Sequence, residues 1–159
     1  MNVVRESLFL TKDLLFMPTD AQRHRLYQNT LKLFYSKGFK ATTMRDIASS
    51  MNFEAASLYN YFKSKDALLE ELIFDVADQF LDGIKMITSS DLSNLEQISA
   101  VIRLYVQVTS ANPYKAALLT TEWRNLKDPV LERFLLHRAT YEGHLKDIVT
   151  AYFSESNQV

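Results

Sequence analysis

Hydroxyl, amide and cationic side chains are concentrated in residues 42–65, whose sequence is TTMRDIASSMNFEAASLYNYFKSK. Such groups donate hydrogen bonds to phosphate oxygens and to the edges of nucleic-acid bases. The sequence has no glycine-rich phosphate loop, nucleophile elbow or spaced carboxylate pair, so the pattern favours binding over catalysis. The candidate contact residues are Thr43, Arg45, Ala55, Ala56, Ser57, Tyr59, Asn60, Tyr61 and Lys65.

Two short helical patterns must position these side chains, and a break at residues 51–53 joins them. Thr43 is predicted to cap the first helix, with Asp46 forming a shortened capping box. Residues 54–62 are predicted to form the second helix, with Phe62 facing the core. This pattern is typical of a helix-turn-helix, in which one exposed helix enters the major groove of DNA while the other lies across the backbone.

The second predicted helix exposes two tyrosines, which are seldom left in water unless something packs on them. We expect Tyr59 and Tyr61 to donate their hydroxyls to phosphate oxygens. Ser57 and Asn60 are expected to reach base edges or backbone. For Tyr61, packing into the domain is the alternative.

Residues near the ends of the predicted helices would complete the contact. We expect Thr43 and Arg45 to touch phosphate, and Lys65 to bring its ammonium to the strand from the start of the next helix. Ala55 and Ala56 would meet thymine methyl groups in the groove.

The formal net charge of −1 hides an uneven distribution. Residues 20–66, here called the head, hold eight Lys or Arg and four Asp or Glu, a charge of +4. Residues 67–159, here called the body, hold eight and thirteen, a charge of −5. A basic head on an acidic body suits a polyanion partner for the head alone. Ordinary solvated faces are the alternative explanation.

Helical periodicity extends through almost the whole chain, and the three Gly and three Pro fall where helices should start or stop. Gly38 and Gly83 are predicted helix ends, and Asn112-Pro113 a helix start. Further helices are predicted over residues 20–37, 64–83, 113–126 and 129–153, and from Asp91 or Ser93 to 111. The sequence therefore predicts an all-α fold, with residues 1–19 as a short amphipathic lead-in segment.

Several functional classes are excluded by composition. Zero cysteines rule out a disulfide framework and a thiolate metal site, and no apolar run approaches a membrane span. His137 and His144 share a helix face, but their spacing and the lack of a third ligand argue against zinc. We expect a cytoplasmic protein that is not an enzyme, needs no cofactor or metal, and does not contact a membrane.

Aromatic residues recur on the predicted inner face of the body, at Tyr105, Tyr114, Trp123, Phe134 and Tyr141. They could line a ligand cavity between helices. An aromatic stripe at helical spacing is more often plain core, so both interpretations stay open.

The head resembles the TetR/AcrR family of bacterial transcriptional regulators over about residues 23–73. The matching pieces, in order and at the family's spacing, are Arg25-Leu26, Leu33-Phe34, Gly38-Phe39, residues 43–48 (TMRDIA), residues 58–65 (LYNYFKSK) and Leu68-Leu69. The resemblance implies a three-helix helix-turn-helix domain in the head and a ligand-sensing and dimerisation domain in the body. It further implies a homodimer that binds a palindromic operator, usually as a repressor released by a small molecule.

The turn and the recognition helix depart from the family pattern. Asn52 stands where the family usually has glycine, and Glu54 where it has serine or threonine. Asn tolerates left-handed backbone, so the fold should survive, but Glu54 repels phosphate. We therefore expect backbone contacts to count for more than base contacts.

Residues 122–126 and 138–141 are similar to a subgroup that responds to acyl-CoA thioesters. The resemblance implies that Arg124 or Arg138 meets the phosphates or carboxylate of a hydrophobic effector. Family members usually continue with two more helices that form the dimer interface, so here the dimer forms differently or the chain is shortened. The rival interpretation of the whole chain is a helical dimerisation or interaction module without operator-specific DNA binding.

Overall fold

The computed structural model describes residues 20–156, and every regular element in this range is helical. The α-helices are α1 Asp20–Lys37, α2 Met44–Ser50, α3 Ala55–Leu58, α4 Lys65–Thr88, α5 Asn94–Ala111, α6 Pro113–Thr121 and α7 Val130–Ser156, with a 3-10 turn at Trp123–Asn125. The predicted all-α fold is confirmed. The lead-in segment predicted for residues 1–19 lies outside the described residues.

Side-chain caps fix where the helices begin. The Thr43 hydroxyl accepts a hydrogen bond from the Asp46 backbone N–H at 3.1 Å, and the Asp46 carboxylate accepts one from the Thr43 N–H at 2.8 Å, so the predicted capping box is present. Ser64 caps α4, Ser93 caps α5, and Asn112 caps α6 ahead of its proline. Each cap satisfies backbone donors that the first helical turn leaves without partners.

Two turns use left-handed backbone, where a side chain is usually strained. Gly38 ends α1 with φ of +81°, as predicted, and Asn52 takes φ of +58° in the helix-turn-helix turn. Asn52 therefore replaces the glycine of the family pattern without loss of the turn.

The predicted helix end at Gly83 is wrong, because α4 continues to Thr88. A Cβ atom added to Gly83 would lie 2.4 Å from Leu104 Cδ1 of α5. This glycine is therefore used for close packing between two helices rather than for termination.

The recognition helix is shorter than predicted, because regular α-helix ends at Leu58 instead of residue 62. Beyond it, hydrogen bonds connect the N–H of Asn60 to the carbonyl of Ser57 at 3.3 Å and that of Tyr61 to Leu58 at 2.9 Å. These bonds span three residues, so the helix tightens into turns as Phe62 enters the core.

The helix α6 is also shorter than predicted. It ends at Thr121 and a 3-10 turn follows, in place of one helix to residue 126.

One hydrophobic core joins the head to the body through α4. The main cluster packs α1 residues such as Leu26 and Phe34 against Leu69 and Leu72 of α4, and it extends to Leu118 and Phe134 of the body. The predicted domain boundary after residue 66 falls in the first turn of α4. A displacement of α4 would consequently be transmitted to both parts.

Candidate nucleic-acid interface and effector pocket

The outer surface of the helix-turn-helix carries most of the predicted contact residues. Thr43, Arg45, Ala56, Tyr59 and Asn60 are exposed. Ala55 and Ser57 lie half-buried beside them. Tyr59 leaves 58% of its surface in solvent, although its ring is large and apolar. This surface offers hydroxyl, amide and guanidinium donors from two adjacent helices, as a DNA contact requires.

Tyr61, for which a phosphate contact is predicted, is partly buried and packs into the domain. Its ring stacks on Phe53 with centroids 5.8 Å apart, and it packs against the main hydrophobic cluster. Burial raises the pKa of the Tyr61 hydroxyl. The tightened turns after Leu58 rotate Tyr61 inward, so the alternative of packing into the domain is the one observed.

Lys65, for which a phosphate contact is predicted, has partners within the head. Its ammonium donates hydrogen bonds to the carbonyls of Phe39 and Thr42, each at 2.7 Å, and lies 4.3 Å from the centre of the Phe39 ring. The cation therefore holds the start of α4 to the turn between α1 and α2. A phosphate would have to compete with two carbonyls for it.

Asp46, which follows Arg45 in α2, is held by hydrogen bonds and an ion pair within the head. Asp46 accepts hydrogen bonds from the side chain and backbone of Thr43 and from Lys37, and these lower its pKa to about 2. The Lys37 ammonium lies 3.1 Å from the Asp46 carboxylate. Arg45 on the same helix forms no ion pair with any residue between 20 and 156, so its charge remains available.

A three-residue cluster locks α1 to α4. Arg23 and Tyr27 both donate to the Glu71 carboxylate, and the Arg23 Nε also donates to the Tyr27 hydroxyl at 2.9 Å. Burial, followed by the hydrogen bond to Glu71, raises the pKa of Tyr27 to about 12. The position of the head on α4 therefore depends on this acid.

Other carboxylates of α4 are paired with basic side chains or a histidine of the body. The pairs are Asp66 with Lys127 at 2.7 Å, Glu70 with Arg133 at 2.5 Å, Asp75 with Lys115, and Asp78 with His137 at 2.8 Å. A groove of about 490 Å³ runs along these residues, but its acids are already engaged. We therefore do not regard it as a ligand site.

The body contains a second, more apolar cavity of about 740 Å³ between α4, α5, α6 and α7. Six of the seven predicted ligand residues line it, namely Tyr105, Trp123, Arg124, Phe134, Arg138 and Tyr141. Tyr114 does not: it lies on the outside with its ring against Tyr35, the two centroids 5.2 Å apart. The cavity is thus of a size and composition that suit a small molecule.

One side of the cavity combines an aromatic floor with two cations. Trp123 stacks on Phe134 with centroids 5.9 Å apart. The guanidinium carbons of Arg124 and Arg138 lie 4.6 Å and 5.7 Å from the Trp123 ring centre. Arg138 also donates to Glu142 at 2.7 Å, whereas Arg124 has no such acidic partner among residues 20–156. Of the two cations, only Arg138 is therefore held by an acid among the described residues.

Sequence reasoning missed ten further lining residues, of which Phe80 and His137 are the most informative. Phe80 belongs to the apolar stripe of α4, and nothing in that stripe distinguishes a cavity wall from ordinary core. His137 was considered only as a metal ligand, yet it lines the cavity and its Nε2 bonds to Asp78. In the described part of the chain, no three His, Asp or Glu residues are grouped so that they could hold a metal ion.

The fold and the outer surface of α2 and α3 define a helix-turn-helix protein with a cavity-bearing helical body. The sequence model described as "Bacterial regulatory proteins, tetR family" matches residues 26–72. The HTH-type transcriptional repressor KstR2 of Mycolicibacterium smegmatis is 30% identical over 108 residues, which are 68% of this chain and 53% of that protein. The helix-turn-helix region of the chain, residues 26–72, belongs to the TetR family.

Solved structures of this family share the fold. The ketosteroid transcriptional regulator KstR2 of Mycobacterium tuberculosis matches with a TM-score of 0.79 and 21% identity, covering 86% of this chain and 70% of that one. AibR, solved in complex with isovaleryl coenzyme A and operator DNA, matches with a TM-score of 0.69 and 20% identity, covering 86% and 72%. The relatives are regulators and not enzymes, as the sequence predicted.

The chain spans about half the length of the curated relatives it matches. Between residues 20 and 156, no helix combines the length and apolarity that a bilayer crossing would need.

Proposed function

We propose that this chain is a DNA-binding transcriptional regulator that represses by binding a palindromic operator as a dimer in the cytoplasm. The observation that carries the proposal is the exposed surface of Arg45, Ser57, Tyr59 and Asn60 on a helix-turn-helix. These donors have few partners within the head. In contrast, the side chains of Tyr61, Lys65 and Asp46 make contacts or hydrogen bonds inside the head. A single head would contact half an operator, which explains the need for two copies.

Selection of bound sequences from random DNA tests this proposal. We expect a palindromic winner whose half-sites are about one helical turn apart. Binding of the winner should weaken steeply with salt, because phosphate contacts release counterions. A helical interaction module without operator binding would enrich no sequence and would show no such salt dependence.

We propose further that the 740 Å³ cavity binds an effector with an apolar part and an anionic group, of which acyl-CoA thioesters are the leading class. The aromatic floor suits the acyl chain, and Arg124 and Arg138 suit a phosphate or carboxylate. That AibR was solved with isovaleryl coenzyme A and operator DNA supports this choice of ligand class. Binding would favour a dimer geometry in which the two heads no longer match successive major grooves.

The effector proposal is tested by operator affinity with and without a short-chain acyl-CoA, with free coenzyme A as control. We expect the acyl-CoA to lower the affinity and Arg124→Gln to weaken that response. Lys127→Gln is the matched control, because Lys127 is exposed and pairs with Asp66 away from the cavity lining. Equal operator affinity with and without every acyl-CoA tried would refute the effector class and leave DNA binding untouched.

A further inference from the structure

Arg138 lies between an aromatic ring and an acid on the wall of the cavity. Its guanidinium carbon is 5.7 Å from the centre of the Trp123 ring, and its Nε donates a hydrogen bond to Glu142 Oε1 at 2.7 Å. All three residues line the cavity. A guanidinium has five N–H donors, and this bond uses one of them. The terminal nitrogens of Arg138 have no partner among residues 20–156, so the side chain combines a fixed orientation with a free end.

The pair of Arg138 and Glu142 is poorly suited to a role in folding alone. The two side chains leave 50% and 54% of their surface in solvent, and ion pairs this exposed contribute little to stability. They are four residues apart on α7 with the cation first, which is the less favourable order for an ion pair along a helix. A role in the cavity accounts for the pair better.

Glu142 is at first sight a poor neighbour for a site that binds an anion. It is the only acid among the described residues that line the cavity, and its carboxylate would repel a phosphate or carboxylate of an effector. That repulsion is offset if the acid holds a flexible cation in place. An arginine that is already ordered loses less rotamer freedom when it binds a ligand.

We infer that Glu142 is a positioning residue of the effector site, which holds Arg138 by Nε and leaves the terminal nitrogens to bind two oxygens of one anionic group. Carboxylates and phosphates both present two oxygens that match such a pair of donors. The inference rests on the proposed effector site, and it adds the residue that sets the geometry of the anion contact.

Quenching of Trp123 fluorescence measures effector binding directly, because Trp123 is the single tryptophan of the sequence and lines the cavity. The probes are octanoyl-CoA and octanoate, whose anionic groups are phosphates and a carboxylate. Octan-1-ol is the uncharged probe of the same chain length. We expect Glu142→Ala to weaken the binding of an anionic probe about three- to tenfold, because Arg138 then has to be ordered on binding. The probe that loses affinity identifies whether Arg138 holds a phosphate or a carboxylate.

The sign of this effect separates positioning from simple charge repulsion. Since Glu142→Ala removes a negative charge from the cavity, repulsion alone predicts tighter binding of an anion. Glu142→Gln keeps an acceptor for the Nε–H group and should bind the anionic probes at least as tightly as the natural protein. The affinity for octan-1-ol should be the same in all three proteins.

Two further variants complete the control. Glu132→Ala removes an exposed acid of the same helix that does not line the cavity, and it should leave every affinity unchanged. Arg138→Gln combined with Glu142→Ala should bind no more weakly than Arg138→Gln alone, because Glu142 acts through Arg138. Additive losses in the double variant would contradict that dependence.

The outcomes separate this inference from the proposed function. If Glu142→Ala binds the anionic probes as tightly as the natural protein or more tightly, or loses as much affinity for octan-1-ol, Glu142 does not position Arg138 and the effector site still stands. If neither anionic probe quenches Trp123 in the natural protein, the effector class is refuted and the inference with it. Selection of an operator sequence is independent of both results.

Discussion

At the scale of single residues, the structure separates side chains that the sequence groups together. Tyr59 and Tyr61 are two positions apart in one motif, yet one is exposed and the other stacks on Phe53. Arg45 and Lys65 are both cations near the predicted phosphates, yet only Arg45 is free of hydrogen bonds to carbonyls in the described residues. Donor type alone therefore does not identify a DNA contact.

The two tyrosines provide a matched pair of variants. We expect Tyr59→Phe to weaken operator binding about tenfold per protomer, because a hydrogen bond to a charged phosphate is worth about 1.5 kcal/mol. Tyr61→Phe should leave the affinity unchanged, because its hydroxyl lies within the head. Fluorescence anisotropy with the selected operator measures both constants, and equal losses would contradict the placement of Tyr61.

The lowered pKa of Asp46 predicts that the stability of the protein depends on pH. Its pKa is lowered from 3.8 to about 2 in the folded head, so its contribution is complete above pH 3.8 and is lost as the pH falls through about 2. Asp46→Ala should therefore have a lower melting temperature than the natural protein at pH 7, and the difference should shrink towards pH 2. Thermal denaturation followed by circular dichroism at several pH values measures this difference.

Asp147→Ala is the control, because Asp147 is exposed and forms no ion pair among the described residues. Its melting-temperature difference should stay constant over the same range. A constant difference for Asp46→Ala as well would show that the capping box does not stabilise the head.

At the scale of elements, local sequence signals located most helix starts and fewer helix ends. Thr43, Ser64 and Asn112 cap their helices as expected, because a cap joins residues three apart. The ends at Gly83 and residue 62 were wrong because they depend on distant contacts: Leu104 against Gly83, and the core that receives Phe62. Glycine in a helix is ambiguous when its packing partner is unknown.

Two glycines within long helices test that explanation. Gly143→Ala should raise the free energy of unfolding by about 0.5–1 kcal/mol through helix propensity, since nothing lies within 4 Å of the added Cβ. Gly83→Ala has the same propensity gain, but it forces a methyl group against Leu104 and should be less stable than Gly143→Ala by about 1–3 kcal/mol. Urea denaturation measures both, and equal gains would mean that α5 can move away freely.

At the scale of the whole molecule, some charged side chains form ion pairs within the chain, and others are left unpaired and available to an external partner. On α4, Glu70, Glu71 and Asp75 pair with Arg133, Arg23 and Lys115, so part of the negative charge of residues 67–159 serves internal contacts. The head keeps Arg45 and four further exposed cations without ion pairs among the described residues, namely Arg25, Lys32, Lys40 and Lys63. These unpaired cations predict a large electrostatic share in operator binding.

The salt dependence of operator binding measures that share. We expect Arg45→Gln to reduce the slope of log affinity against log salt by about 2 for the dimer, because each lost phosphate contact changes it by about 0.9. Lys127→Gln on the body should leave the slope unchanged. A slope that Arg45→Gln does not alter would place the phosphate contacts on other residues of the head.

The sequence by itself determined the all-helical fold, the helix starts and the family of the head, because caps and apolar periodicity act between residues three or four apart. Of the seven ligand residues that the sequence predicted, six line the cavity. Only the tertiary structure decided that Tyr114 lies outside the cavity, that Tyr61 is packed and that Lys65 is held by carbonyls. Those roles depend on partners far along the chain, such as Phe39, which is 26 residues from Lys65. Local patterns cannot specify such distant partners.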